Sequence, residues 1–325
     1  MNFNLLKKVE LHTHLDCSLS YDVVKKTLPN ITIQEYENKF IGSNCENLKD
    51  YLKCVERSVQ IMQNKCQLIS AVVDLFDQLK RDNVIYVEIR FAPLLHLKQG
   101  LNSTQVVEII LNQCNIESKK RKIKFGLILC TLRHFSESDS LQTVKLINYF
   151  NDENIVGFDL AADETAYSLD NHVKAFQFAR ENNINCTSHA GEALGYQSVV
   201  ETLDKLKTKR IGHGVRSYEN RYLLERLKKE KVHLEICPTS NLVTGVFSSL
   251  IDHPVNDFYK QNLSVGINTD GRTISNTTLN SEYKKLSEIF NWDVQHFLNC
   301  NINAMSASFT SEKIKEEIIL ELQNQ

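Results

Sequence analysis

Four short apolar runs in this chain end in histidine or a carboxylate: His12-Thr13-His14-Leu15-Asp16, His189-Ala190-Gly191-Glu192, Gly212-His213-Gly214 and Asn268-Thr269-Asp270. His12 and His14 are two residues apart, so on an extended strand both side chains project to one face and can share an ion. Three neutral imidazoles with a carboxylate suit zinc, and a bound water completes an open, catalytic site. The spacing leaves open which of the four histidines would be ligands. An isolated histidine is ordinarily a hydrogen-bonded core residue. His96, His172, His233, His253 and His296 are read that way, as is His134, although it follows a strand signal.

The elements that must position these groups are legible from periodicity. Runs at 9–15, 84–92, 124–132, 156–161, 185–190, 210–215, 232–238 and 263–269 read as buried strands. Between them, apolar residues spaced by three and four, such as Val106, Val107, Ile109 and Ile110, or Leu141, Val144 and Ile147, suit amphipathic helices packed on a sheet. Strands alternating with helices imply βα units and a parallel sheet, and eight of them close a (β/α)8 TIM barrel whose strand C-termini carry the active site. About seventy residues separate the first two strands. Residues 18–82 therefore read as a helical insertion, with 46–82 forming one extended helix or two and Leu48, Tyr51 and Leu52 as candidates to roof a ligand. Helices at 277–290, 292–303 and 310–323 follow the last strand, and no Ser/Gly/Pro-rich linker divides the chain, so residues 1–325 read as one domain. Glu88 and Arg90, alternating with Val87 and Ile89, are expected to form an ion pair inside the barrel.

Composition removes several function classes. With 42% hydrophobic and 24% charged residues the chain can build a packed core. Lys+Arg number 38 against 40 Asp+Glu, leaving no basic excess to neutralise the phosphates of a nucleic acid. No run approaches the ~18 apolar residues of a membrane span. The nine cysteines include no CxxC pair, the usage of a reducing, cytoplasmic compartment. The phosphate-binding loop GxxxxGK[ST], the HExxH zinc motif, the GxSxG elbow and the HxE…PCxxC deaminase signature are all missing.

Val9-Glu10-Leu11-His12-Thr13-His14-Leu15-Asp16, Ser188-His189-Ala190-Gly191-Glu192, Arg210-Ile211-Gly212-His213-Gly214, Glu235-Ile236-Cys237-Pro238-Thr239-Ser240-Asn241 and Asn268-Thr269-Asp270 resemble the adenosine deaminase family of the amidohydrolase superfamily. Order and spacing agree along nearly the whole chain, including Tyr86 to Arg90 and Phe158 to Leu160. The resemblance implies a (β/α)8 barrel with one divalent metal, usually zinc, and hydrolytic removal of the 6-amino group of a purine nucleoside. It implies His12, His14, His189 and Asp270 as metal ligands and Glu192 as the acid that protonates the purine N1. His213 would orient the attacking water and help deprotonate it, and Asp16 would hold a ribose hydroxyl.

Three positions depart from the common family pattern. Cys17 stands where glycine is usual. Ala162 replaces a glycine whose backbone N–H meets the purine N3. Gly271 replaces a second aspartate that partners N7, which predicts weaker dependence on N7 and leaves water, backbone or a neighbour such as Arg272 to bind it. The hydrolytic residues are intact, so adenosine is the expected substrate; adenine, a 5′-modified adenosine or an N6-substituted purine are the alternatives. Asp16 argues against the free base, because relatives acting on adenine tend to carry glutamate there. A non-catalytic nucleoside-binding protein is a further alternative, against which the complete acid and ligand set speaks.

Overall fold

The structure, a computed structural model, describes residues 2–324. Its strands are β1 (Lys8–His14), β2 (Val84–Phe91), β3 (Lys124–Leu132), β4 (Ile155–Ala161), β5 (Asn185–Cys186), β6 (His189–Ala190), β7 (Arg210–His213), β8 (His233–Ile236) and β9 (Ser264–Ile267). They form two parallel sheets in sequence order, β1 to β5 and β6 to β9. The expected strand at 185–190 is thus split around Thr187 and Ser188. The break is bridged because Thr187 N donates to Phe158 O and Gly212 N donates to the Ser188 carbonyl. At the other seam Thr13 bridges Asp270 in parallel, His14 N donating to Asp270 O and Asp270 N to His12 O. Both seams carry candidate ligands, His189 at one and Asp270 at the other.

Alternation along the strands sorts the side chains into two layers. Val87, Ile89 and Phe91 of β2, with Leu127, Leu129, Phe158, Leu160, Ile211, Leu234, Ile236, Val265 and Ile267, belong to the main apolar core. The intervening positions turn inward and are largely charged: Glu88, Arg90, Asp159, Arg210 and Glu235 are all fully buried. Glu88 and Arg90 do not pair with each other, contrary to expectation. Each reaches across the barrel instead, Glu88 to Arg210, and Arg90 to Asp159 (3.1 Å) and Glu235 (2.7 Å). Two residues apart on one strand, they sit in successive interior layers and meet partners from facing strands.

The insertion after β1 is four helices, Tyr21–Thr27, Ile33–Phe40, Leu48–Gln60 and Lys65–Arg81. The stretch 46–82 is two helices because Asn64 caps the second, its side chain accepting from Gln67 N while the Gln67 side chain takes the Asn64 N–H. Helices Leu279–Phe290, Val294–Ala307 and Glu312–Gln323 follow β9. Of these, Val294–Ala307 packs on β9, β8 and β1 at the strand edges away from the insertion.

Candidate active site

Three imidazole nitrogens and one carboxylate oxygen converge where β1, β6 and the segment after β9 meet. His14 Nε2 lies 3.3 Å from His12 Nε2 and 3.2 Å from His189 Nε2. Asp270 Oδ1 lies 3.5 Å from His12 Nε2 and 3.4 Å from His14 Nε2. Atoms bound about 2.1 Å from one zinc at tetrahedral angles stand about 3.4 Å apart, so these separations fit a single shared ion. Among the described residues His12, His14, His189 and Asp270 form a buried four-ligand group.

Partners behind the histidines settle which nitrogen faces that centre. His12 Nδ1 is 2.8 Å from Glu235, and His189 Nδ1 is 3.3 Å from Asp159 Oδ1 and 3.1 Å from the Leu160 carbonyl. Each Nδ1–H is therefore donated away and the Nε2 lone pair is left for the metal. Both carboxylates are kept ionised. Burial opposes ionisation of Glu235, but the guanidinium groups of Arg90 and Arg210 hold it well below the usual carboxylate range. His189 and Arg90 do the same for Asp159 against its burial. One guanidinium, that of Arg90, thus braces the supports of two ligands.

Close approach explains Gly212. A Cβ there would stand 2.9 Å from His12 Cε1 and 3.3 Å from the His189 backbone, so any side chain would displace a ligand.

Glu192 sits beside this centre on the turn after β6. The turn is anchored by Glu164, whose carboxylate accepts from Gly191 N (3.0 Å), Glu192 N (2.9 Å), Leu194 N (2.7 Å) and Ser198 Oγ (2.6 Å). Burial, reinforced by the Asp270 and Glu164 carboxylates, raises the Glu192 carboxyl well above its ordinary value, which favours its protonated form. Its Oε1 is 3.1 Å from Thr244 Oγ1, which also lies 3.0 Å from the Ser240 carbonyl, and 3.4 Å from Asn241 Nδ2. Oε2 lies 3.6 Å from His213 Nε2. Burial and the neighbouring His12 lower the His213 pKa well below its usual range, which keeps that ring neutral.

A cavity of about 920 Å³ opens over these groups. His14, Asp16, His189, Glu192, His213 and Asp270 line it together with Leu48, Tyr51 and Leu52 of the Leu48–Gln60 helix. His134 also lines it. Asp16 accepts weakly from Ala92 N (3.4 Å), and burial raises its pKa to about 6. Ala162 lies on the wall with φ +76°, the left-handed backbone normally taken by glycine, so alanine holds a glycine conformation here at a cost in strain.

Gly271 does not leave open space. A Cβ on it would lie 2.3 Å from Tyr51 Oη and 2.8 Å from Cys17 Cβ. The Tyr51 hydroxyl instead accepts from Gly271 N (3.2 Å) and stands 3.4 Å from Asp270 Oδ2. Arg272, expected as a neighbour of the base, is turned away: it is buried on Glu10 (2.6 Å) and Asp82 (2.7 Å).

All the expected site residues gather at one end of the barrel, whereas the supporting residues carry no sequence signal as plain as a paired histidine. Asp159, Glu164, Glu235 and Arg90 could have been suspected as charges inside or beside apolar strand runs. Asn241, Ser240, Thr244 and His253 look like ordinary polar residues until the fold brings them together.

A parallel α/β fold that gathers three histidines, an aspartate and a buried glutamate at its strand ends is the arrangement of a hydrolase able to hold a metal ion. The adenosine deaminase family model matches residues 7–325. An adenosine deaminase of Clostridium acetobutylicum is 36% identical over 326 residues, covering 98% of this chain and 97% of its own. The chain belongs to the adenosine deaminase family. Among solved structures, the adenine deaminase of Arthrobacter aurescens superposes with a TM-score of 0.91 at 23% identity, over 98% of each chain. An amidohydrolase from Burkholderia ambifaria with bound Zn gives 0.88 at 17% identity, over 99% of this chain and 91% of the other. At those identities the likeness is one of fold.

Proposed function

We propose that this chain hydrolyses adenosine to inosine and ammonia. The observation that carries the reading is Glu192 buried beside the convergent group of His12, His14, His189 and Asp270. Zinc held there, one per chain, would lower the pKa of water from 15.7 towards ~7. A water oxygen adding to C6 of the purine would displace the electron pair of the C6–N1 double bond onto N1. Glu192 delivers its proton to N1, placing an acid where charge develops. The C6–N6 bond then breaks, ammonia leaves and a carbonyl remains. Of the two protons the water brought, one departs on ammonia and one restores Glu192. His213 sits beside Glu192 and the ligands, where it orients the attacking oxygen.

Asp16, ionised above pH about 6, accepts from a ribose hydroxyl, and the Ala162 N–H is offered to N3. Gly271 gives N7 no side chain, and the Tyr51 hydroxyl fills that space. The substrate is a small nucleoside; the balanced charge supports no nucleic-acid partner. No helix among the described residues is long and apolar enough to cross a membrane, and free thiols throughout support a reducing, cytoplasmic setting. A second reading, a 5′-modified adenosine, is favoured by the apolar side chains of Leu48, Leu52, Val55 and Leu95 in the cavity lining.

Ammonia release from adenosine, adenine and 5′-methylthioadenosine tests the assignment. A charge-assisted hydrogen bond to Asp16 is worth ~1.5–3 kcal/mol, so adenosine is expected to exceed adenine in kcat/KM by about 10- to 150-fold. Equal efficiency would remove Asp16 from ribose binding. Turnover of none of the three would overturn the proposal.

A further inference from the structure

We propose that His253 and Asn241 act as positioning residues that lock the single ring proton of His213 on Nε2, making His213 a hydrogen-bond donor to the attacking oxygen rather than its base. This rests on the adenosine-type site above but concerns the resting enzyme, before any substrate binds.

The polarity of the chain starts from a group that can only donate. The backbone N–H of Val255 points at His253 Nδ1, 3.2 Å away. His253 Nδ1 must therefore be the bare nitrogen, and its proton lies on Nε2. Burial lowers the His253 pKa to about 3, so the ring is neutral and carries one proton only. His253 Nε2–H then donates to Asn241 Oδ1 at 3.2 Å. With its oxygen committed, the Asn241 carboxamide turns its NH2 to the active site, where Nδ2 lies 3.1 Å from His213 Nδ1 and 3.4 Å from Glu192 Oε1. An amide nitrogen does not accept, so His213 Nδ1 is the acceptor, which leaves Nε2 as the nitrogen that carries the ring proton.

The opposite polarity fails at a definite point. If the Asn241 amide were flipped, its NH2 would face His253 Nε2, which would then have to accept. The His253 proton would move to Nδ1 and meet the Val255 N–H, placing two donors face to face between buried groups, a loss of about 1–3 kcal/mol. All three side chains are buried: His253 at 3%, Asn241 at 0% and His213 at 1% exposure, so water does not relieve the mismatch.

The consequence for chemistry is a change of role. With Nε2 protonated, His213 cannot take the proton of the attacking water, as the family resemblance led us to expect. Its Nε2–H and the Glu192 carboxyl, 3.6 Å apart, are instead two neighbouring donors. One is aimed at the oxygen bonding to C6 and the other at N1, so each stabilises charge at its own end of the developing bond.

The test uses the zinc-loaded enzyme with 15N-labelled histidine, in which long-range 1H–15N correlations report the protonated nitrogen of each ring. The His213 signals are assigned by their loss in His213→Gln. The expected wild-type pattern is Nε2–H for both His253 and His213. Asn241→Asp offers a carboxylate to His213 Nδ1 and is expected to move that ring's proton to Nδ1, with at least a tenfold fall in kcat and little change in KM. A wild-type His213 protonated at Nδ1 overturns the inference, whether or not the variant folds. So does a folded Asn241→Asp protein with an unchanged His213 pattern. An Nε2–H pattern in a protein that deaminates no purine would instead overturn the proposed activity and leave the proton assignment standing.

Discussion

Glu192 and Asp270 are both buried carboxyl groups, yet their surroundings push their acidities apart. Burial and neighbouring carboxylates raise Glu192, whereas the adjacent His12 and His14 hold Asp270 well below the ordinary range despite its burial. Two carboxyl groups separated in this way suit the two roles proposed for them, acid for Glu192 and ligand for Asp270. Glu192→Gln is therefore expected to fold and keep its metal while kcat falls by ~10²–10⁴, because an amide has no proton to give N1. The pH profile follows the same assignments. Asp16 is raised to about 6, so kcat/KM rises as pH climbs through that value and the ribose acceptor becomes charged. Glu192 is active in its protonated form, so activity falls on the alkaline side as its raised pKa is passed. Profiles of wild type and Asp16→Asn check this, and an acid limb that persists unchanged in Asp16→Asn would assign it elsewhere. These residues were legible because their types recur at strand ends. Their supports were less so: Tyr51 was read only as a roof candidate, Asn241 only as part of a motif and His253 as a core residue, because neutral polar side chains acquire meaning from partners the sequence does not name, such as Gly271 for Tyr51 and His213 for Asn241.

Strands and helices were legible wherever burial imposed a clear period. Val87, Ile89 and Phe91 on one face of β2 and Glu88 and Arg90 on the other marked that strand even before its partners were known. The register of those interior charges was not legible, because a sequence does not say which facing strand each one meets. The break between β5 and β6 was hidden for a related reason: 185–190 reads as one extended run, and only the pairing of Thr187 with β4 and Ser188 with β7 divides it. The lid helix Leu48–Gln60 matters most where Tyr51 meets Gly271. The backbone of Gly271 is not left-handed, so the glycine is required by space alone. Gly271→Ala should be overpacked by about 1–3 kcal/mol, seen as a lower Tm and a raised KM. Tyr51→Phe removes the atom 2.3 Å away but not Cys17 Cβ, so the double variant is expected to recover part of the loss. Strictly additive effects in denaturant titrations would show that the two positions do not share that space.

At the scale of the whole molecule, the barrel interior is a continuous ionic lattice that ends at His12 and His189. Arg210 pairs with Glu88 and Glu235, Arg90 joins Glu235 to Asp159, and those two carboxylates orient His12 and His189. Removing one member of such a buried set leaves charges uncompensated, and partners of this kind typically control metal affinity by 10–100-fold. Fold and metal site are therefore one structure, and both depend on the same inward-facing strand positions. The most direct test of the account is ammonia release from adenosine by the purified protein before chelation, after it, and after zinc is returned. The account predicts turnover that vanishes with the metal and recovers fully at one zinc per chain. A metal-free preparation that deaminates adenosine at the original rate would contradict it.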